Sequence, residues 1–270
     1  MTLANTVVCA NCAEWLATLP AEFVDLTVTS PPYGAMRAYN GYVFEFEPIA
    51  AQLFRVTKPG GVLVWVVNDE TENGESGESF RQALFFKQCG FWLWDTMLYM
   101  KHGPAYPEQT RYYQVFEYMF VLSKGKPKTF NPIKDRVNRW FGEKWSKVRS
   151  RRQKDGELVR TAWEDGESGK LGVRFNIWQY DVGGQGNHGD PLCQAHPASF
   201  PEALAEDHIR SWSNAGDLVL DPLCGSGTTL KMAKLLGRHW LGCDISAEYV
   251  ALSQKRLANT VYTPVLIDGA

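Results

Sequence analysis

Long apolar runs are missing from this chain. Nowhere in its 270 residues do eighteen apolar residues follow one another, which predicts no membrane-spanning helix. The opening stretch, MTLANTVVCANCAEWL, lacks a basic region followed by an apolar core and a small-residue cleavage site. It does not read as a secretory signal, and a cytoplasmic location is expected. Cysteine is scarce: Cys9, Cys12, Cys89, Cys193, Cys224 and Cys243, mostly in apolar contexts, as reduced thiols are. Cys9 and Cys12 are spaced C-x-x-C, but no second cysteine pair and no histidine pair has zinc spacing. No metal is expected, and the two thiols read as small buried side chains at a strand end. There is no internal repeat and no low-complexity tract. With 44% apolar residues, the chain suits one large α/β domain or one domain carrying an insertion.

Net charge is only −2, but it is unevenly spread. From Lys124 to Lys154 there are twelve Lys or Arg against Asp135 and Glu143, so the rest of the chain is markedly acidic. A basic island in an acidic protein is an electrostatic footprint for a polyanion. Trp140, Phe141 and Trp145 are interleaved with the charges, which favours nucleic acid over a merely solvated loop.

Strand-like and helix-like stretches alternate on both sides of this island. TVVCANC, VDLTVTS, VLVWVVND, DLVLDP and HWLGCDI read as buried strands. AEWLATLP, PIAAQLFRVTKPGG, SFRQALFFKQCG, SFPEALAEDHIRSWS, GTTLKMAKLLG and SAEYVALSQKRLANT read as helices. Their stops are expected at Pro20, at Pro59-Gly60-Gly61 and at Gly90, and their N-caps at Ser199 and Ser246. FWLWDTMLYM and QVFEYMFVLSKG are joined by too few residues for a crossover helix, so they read as an antiparallel pair. Trp92 and Trp94 alternate on the first of these and are expected to pack in the core. The stretch DGELVRTAWEDGESGKLGVRF reads as polar and irregular, part of an inserted, partly mobile subdomain. The expected fold is α/β: a doubly wound, mostly parallel, Rossmann-like sheet with an antiparallel strand pair and an inserted subdomain.

Two strand ends carry chemistry. DLVLDPLCGSGTTLKMAKLLG is strand, glycine-rich turn, helix: Gly225 and Gly227 let backbone approach a ligand, and the helix from Thr228 points free N–H groups at it. No Gly-Lys-Ser/Thr follows, so it is not a phosphate-binding P-loop. Cys224 stands where a nucleophile elbow needs glycine. About twenty residues on, Asp244 ends a strand, placed to accept ribose hydroxyls. Asp221 is a second acid at the turn. It would repel a pyrophosphate but favour a cofactor bearing an ammonium and a sulfonium, which points to S-adenosylmethionine rather than a dinucleotide. The other strand end is VDLTVTSPPYGAM, where Ser30-Pro31-Pro32-Tyr33 stops an apolar strand with rigid, donor-free residues and an aromatic ring.

Together these motifs resemble the DNA amino-methyltransferases in their β-type circular permutation. TSPPY is similar to the catalytic motif, DPLCGSGTT and GCDIS to the cofactor motifs, and HPASFPEALAEDHI to the segment preceding them in this permutation. The likeness covers roughly residues 5–132 and 190–258, with the catalytic segment first and the cofactor segment last. It implies a catalytic part at 1–123, a basic target-recognition insertion at 124–190 and a cofactor-binding part at 191–270. The implied catalytic group is Ser30, Pro31, Pro32 and Tyr33. The implied cofactor group is Asn11, Cys12, His196, Phe200, Asp221, Leu223, Gly225, Gly227, Thr228, Thr229, Asp244 and Ile245. Leu223 replaces the usual phenylalanine, and Asn11 an acid. The insertion offers Lys134, Arg136, Arg139, Lys144, Lys147, Arg149, Arg151 and Arg152 to double-stranded DNA. Cys193-Gln194 is not read as a covalent nucleophile, because no proline is adjacent.

The chemistry explains the prolines. An exocyclic base amine is a weak nucleophile because its lone pair is delocalised into the ring. Acceptors that bind both amine hydrogens, the Ser30 hydroxyl and the Pro31 carbonyl, would localise it for in-line attack on a sulfonium methyl. Tyr33 would stack on a base everted from the duplex. The expected activity is sequence-specific methylation of cytosine N4 within a restriction-modification setting, by a monomer or homodimer. Adenine N6 is the alternative, and an RNA or protein amine a more distant one.

Overall fold

The computed structural model describes residues 3–32, 44–71, 74–103, 109–142, 148–162, 169–181 and 201–262. They fall into two compact units: Met1–Asn131 with Asn176–Ala270, and Pro132–Phe175.

In chain order the first part of the larger unit is β1 (Thr6–Cys9), α1 (Cys12–Thr18), β2 (Val24–Thr29), α2 (Phe46–Val56), β3 (Thr57–Val67), α3 (Glu78–Cys89), β4 (Trp92–Met100) and β5 (Phe116–Ser123). The smaller unit holds β6 (Arg136–Val137), β7 (Val148–Arg152), β8 (Leu158–Ala162) and β9 (Leu171–Gly172). The larger unit resumes with β10 (Ile177–Gln179), α4 (Glu202–Trp212), β11 (Leu218–Asp221), α5 (Thr228–Leu235), β12 (His239–Asp244) and α6 (Ala247–Ala258). Its sheet has eight strands in the order β1-β12-β11-β2-β3-β5-β4-β10. Every neighbouring pair is parallel except β3 with β5 and β5 with β4, so β5 alone runs against the rest. The expected antiparallel pair is therefore present, inside an otherwise parallel Rossmann-like sheet.

Helices cover both faces, which is why the middle strands are apolar throughout. On one face α1, α2 and α3 bury Leu16, Ile49, Leu53 and Phe86 against Leu63, Trp65, Leu122 and Leu220. On the other, α5 and α6 bury Leu230, Val250 and Leu257 against Val7 and Cys224. The buried ring of Trp65 donates its indole N–H to Gln82 Oε1 at 2.8 Å, so its one polar group is satisfied. None of the helices among the described residues is long and apolar enough to cross a membrane.

Several local expectations are corrected. Helix α2 ends at Val56 rather than at Pro59-Gly60-Gly61. Thr57 turns out of it, donating its hydroxyl back to Leu53 O at 2.6 Å, and already pairs with Val24 in the sheet. The glycine pair serves the strand instead: Gly60, at φ +80°, donates its N–H to Lys124 O at 2.7 Å. Helix α4 starts at Glu202 with Pro201 in the N-cap position, and Ser199 lies outside the described residues. Gly90 and Ser246 do cap α3 and α6 as expected. Trp92 and Trp94 are not in the core: they are 54% and 44% exposed and stack on each other with 16° between their planes. A register shift between Leu93 and Asp95 falls at Trp94, and β10 pairs only with Leu98–Met100, leaving the start of β4 without a second neighbour among the described residues. Cys9 is exposed while Cys12 is buried.

The stretch read as irregular is also more ordered than expected. β7 and β8 pair antiparallel from Val148↔Ala162 to Arg152↔Leu158 around a turn at Gly156, and β6 pairs with β9. Residues 177–179 form β10 at the edge of the large sheet. These strands are two to five residues long and of mixed composition, so they lack the apolar run that marks a buried strand.

Candidate active site

All the parallel strands deliver their C-terminal ends to one edge of the sheet, and the chemistry-bearing residues collect there. β2 and β11 are neighbours, with Leu26 opposite Val219 and Thr27 opposite Leu220. Ser30 and Asp221 thus leave adjacent strands at the same edge. Two hydrogen bonds join them further. Thr29 donates its hydroxyl to Asp221 Oδ1 at 2.7 Å, and Thr229 donates its hydroxyl to Val28 O at 3.0 Å. Pro31 is buried, and Ser30 and Pro32 are half-buried.

The glycine-rich turn is built as its sequence demands. The Cys224 N–H donates to Cys243 O at 2.9 Å, and the Gly227 N–H to Cys224 O at 2.7 Å. Gly227 sits at φ +78° as the N-cap of α5, and a Cβ there would come within 2.2 Å of Ser253 Oγ. Opposite the turn, Asp244 accepts the Gly225 N–H at 2.8 Å and the Ser246 N–H at 2.9 Å. The exit of β1 is drawn in alongside, because the Ala10 N–H donates to Asp244 O at 3.1 Å. This brings Asn11 and Cys12 beside β12, and Ile245 accepts the Cys9 thiol at 3.5 Å through its carbonyl. Asn11 has a local task as well: its side chain caps α1 by accepting from Ala13 N at 2.9 Å and Glu14 N at 3.2 Å.

Burial tunes the two acids. Asp221 is only 2% exposed, and desolvation pushes its carboxyl up to about 6 against hydrogen bonds from Thr29, Leu223 and Thr229 that favour the charged form. Asp244 is raised in the same direction by burial. Neither acid has a Lys or Arg ion-pair partner among the described residues. A buried and a half-buried carboxylate, with no counter-cation among the described residues and beside backbone that approaches closely at two glycines, fit a cationic nucleoside cofactor such as S-adenosylmethionine. Among the described residues, no group of His, Cys, Asp and Glu could hold a metal ion.

Sequence reasoning missed the residues that hold the turn from behind. Arg256 of α6, 1% exposed, donates through Nη1 to Ser226 O at 2.5 Å and Ser226 Oγ at 3.0 Å. Through Nη2 it donates to Glu202 Oε1 at 2.8 Å, which also receives Lys231 Nζ at 2.7 Å. A fully buried guanidinium thus ties the cofactor turn to the start of α4. An arginine in the last turn of an amphipathic helix reads as solvent-facing, and only the tertiary packing reveals its role.

Not every expected residue can be placed. Tyr33, His196, Phe200, Lys144 and Lys147 lie outside the described residues. Ser30, Pro31, Pro32, Asn11, Cys12, Asp221, Leu223, Gly225, Gly227, Thr228, Thr229, Asp244 and Ile245 come together at the sheet edge just described. In the smaller unit Lys134, Arg139 and Arg152 are exposed, and Arg149 and Arg151 lie on β7. Arg136 is half-buried: it donates to Val173 O at 2.9 Å and lies 4.5 Å from the centre of the Phe175 ring.

The sequence profile of a DNA methylase family with N6 and N4 specificity matches residues 24–255. The chain belongs to the N6/N4 DNA methylase family. It is 53% identical over 247 residues to the orphan methyltransferase M.BamHII of Bacillus amyloliquefaciens, covering 91% of this chain and 93% of that one. Its fold is similar to a DNA modification methylase from Thermus thermophilus solved with S-adenosyl-L-methionine. That likeness has a TM-score of 0.62 at 26% identity, over 95% of this chain and 94% of that one. It is also similar to the cytosine-N4-specific PvuII DNA methyltransferase, with a TM-score of 0.65 at 20% identity, over 97% of this chain and 87% of that one. The protein is thus a DNA methyltransferase of the N4/N6 family, and its cofactor is S-adenosylmethionine.

Proposed function

We propose that this methyltransferase modifies the exocyclic N4 of a cytosine everted from double-stranded DNA, at a specific sequence. The observation that carries the reading is the joining of the Ser30–Pro32 tip to the Asp221–Thr229 turn through Thr29 and Thr229, which keeps amine-binding and cofactor-binding groups at one edge. A serine at the first position of the tip supports cytosine over adenine.

When bound, S-adenosylmethionine supplies an electrophilic methyl group. Everything else is done by the chain. The Ser30 hydroxyl and the Pro31 carbonyl accept the two amine hydrogens and localise the nitrogen lone pair. The fixed φ of proline orients that carbonyl before substrate arrives, so little ordering remains to be done. Tyr33 stacks on the base and replaces the neighbours it lost on leaving the helix. Asp244 accepts ribose hydroxyls, and Asp221 favours the cationic end of the cofactor. Once the methyl has moved, the surplus proton on nitrogen passes to water or through Ser30. Lys134, Arg136, Arg139, Lys144, Lys147, Arg149, Arg151 and Arg152 bind the DNA backbone, and exposed aromatic residues among them contribute to target recognition.

The test is direct. The protein is incubated with duplex DNA and methyl-labelled S-adenosylmethionine, and the DNA is digested to nucleosides. The label is expected in N4-methylcytosine. Label in N6-methyladenine or 5-methylcytosine, or transfer to RNA in preference to DNA, would overturn the reading.

A further inference from the structure

One polar pair at the same sheet edge belongs to none of the motifs above. β3 pairs with β2 as far as Trp65 opposite Thr29, and the two strands then leave the sheet at the same edge, β2 into Ser30 and β3 through Val67 into Asn68. Gln114 approaches it from the far side, two residues before β5 begins. The two side chains exchange hydrogen bonds: Asn68 Nδ2 donates to Gln114 Oε1 at 3.3 Å, and Gln114 Nε2 donates to Asn68 Oδ1 at 3.2 Å. A closed pair of this kind fixes the plane of both amides. Each amide nitrogen carries two hydrogens, and the exchange uses one. The second N–H of each residue has no partner among the described residues, and both residues are half-buried. Two oriented donors are thus held at the sheet edge from which the Ser-Pro-Pro tip also leaves.

We infer that Asn68 and Gln114 read the Watson–Crick edge of the everted base and set its identity as cytosine. The inference rests on the proposed role of Ser30 and Pro31 as holders of the amine. Next to its amine, cytosine presents two acceptors in a row, N3 and O2. Adenine presents one acceptor, N1, and then a carbon-bound hydrogen. Two donors match cytosine. Against adenine, one of them would face C–H and lose its hydrogen bond in a partly dry site, and a site built around a hydrogen bond rejects a partner that cannot make it.

The pair could instead be only a tie between β3 and the segment entering β5, and two substitutions separate the roles. In Asn68→Asp the carboxylate still accepts from Gln114 Nε2, and in Gln114→Glu the carboxylate still accepts from Asn68 Nδ2. Each variant therefore keeps half of the tie, replaces a spare donor with an acceptor and repels N3 or O2. Matched duplexes carry cytosine or adenine at the target position, once sequencing of methylated DNA has given the site. Both variants are expected to lower kcat/KM on the cytosine duplex by roughly ten- to hundredfold. The cytosine-to-adenine ratio should narrow, while affinity for S-adenosylmethionine stays at the wild-type value and Tm falls by no more than one lost hydrogen bond costs. Unchanged kcat/KM and an unchanged base ratio in both variants would overturn the inference. If one variant melts early, the other decides alone. Wild-type protein that yields N6-methyladenine overturns the proposed function itself. Wild-type protein that yields N4-methylcytosine, with indifferent variants, overturns only the role of the amide pair.

Discussion

Between Asp221 and Thr229 the polar side chains are folded inward: Asp221, Ser226, Thr228 and Thr229 are all buried, and each is hydrogen-bonded. In the unit from Pro132 to Phe175 the large apolar side chains point outward, with Val137 74%, Trp140 55%, Phe141 60% and Phe175 67% exposed. The first region has satisfied its groups before any ligand arrives, so its energy is already invested in a fixed shape for the cofactor. The second leaves apolar surface and positive charge in water, which is stabilising only when a partner covers it. The two should therefore respond to mutation in different assays, and substitutions in each can break that separation if it is false.

The largest effect is expected at Asp221. Asp221→Ala removes both the buried acid and the anchor for Thr29, and it should weaken S-adenosylmethionine binding by roughly a hundredfold or more, as loss of a charged hydrogen-bonding group does. Methyl transfer should fall below detection while DNA affinity, measured by fluorescence anisotropy, is kept. Loss of DNA affinity to the same degree would show that the two regions are not separable.

Next is Arg256→Ala. It leaves the Ser226 carbonyl without its buried donor while Glu202 keeps Lys231, and a buried polar group left unsatisfied costs about 1–3 kcal/mol. Denaturant unfolding should show that loss. A change below about 1 kcal/mol would mean that the turn does not depend on its support from α6.

Smaller again is the effect of pH, and its sign follows from Asp221. Because the folded carboxyl titrates at about 6 and the unfolded one at 3.8, the native state binds the extra proton between these values. Stability of the free protein should therefore fall as pH rises from about 4 to about 6. A cationic cofactor favours the ionised acid, so its binding should be about tenfold weaker at pH 5 than at pH 7 by calorimetry. Asp221→Asn should flatten this dependence, and a pH profile that survives in that variant would assign it to another group.

The smallest single effects belong to the basic unit. Alanine at Lys134, Arg139 or Arg152 should each weaken DNA binding a few-fold and reduce the salt slope by about 1 for each phosphate no longer neutralised, with cofactor affinity unchanged. An equal fall in both affinities would indicate damage to the fold instead.

How much of this was legible from the residues alone differs by region. The alternation of strands and helices, the antiparallel pair and the glycine turn were readable because buried parallel strands are uniformly apolar and because positive φ demands glycine. The end of α2 was not, since Pro59-Gly60-Gly61 reads as a helix stop yet serves the start of β3. Trp92 and Trp94 look like core residues, but burial depends on what covers a strand, and β10 does not reach that far. Arg256 and the Asn68–Gln114 pair were invisible for a different reason. Their roles come from partners 30 and 46 residues away in sequence, and nothing local marks them. The strands β6 to β9 were hidden by their shortness and mixed composition, because strands of two to five residues without an apolar run carry little signal.

The central claim is that the Ser30–Pro32 tip and the Asp221–Thr229 turn together methylate a cytosine amine in DNA. Its most direct measurement is modification-aware sequencing of DNA from a methylation-free host that expresses the protein. N4-methylcytosine at one fixed position of one short sequence is the result the account predicts. Methyl groups on adenine N6 or cytosine C5, or DNA left unmodified while S-adenosylmethionine is bound, would contradict it.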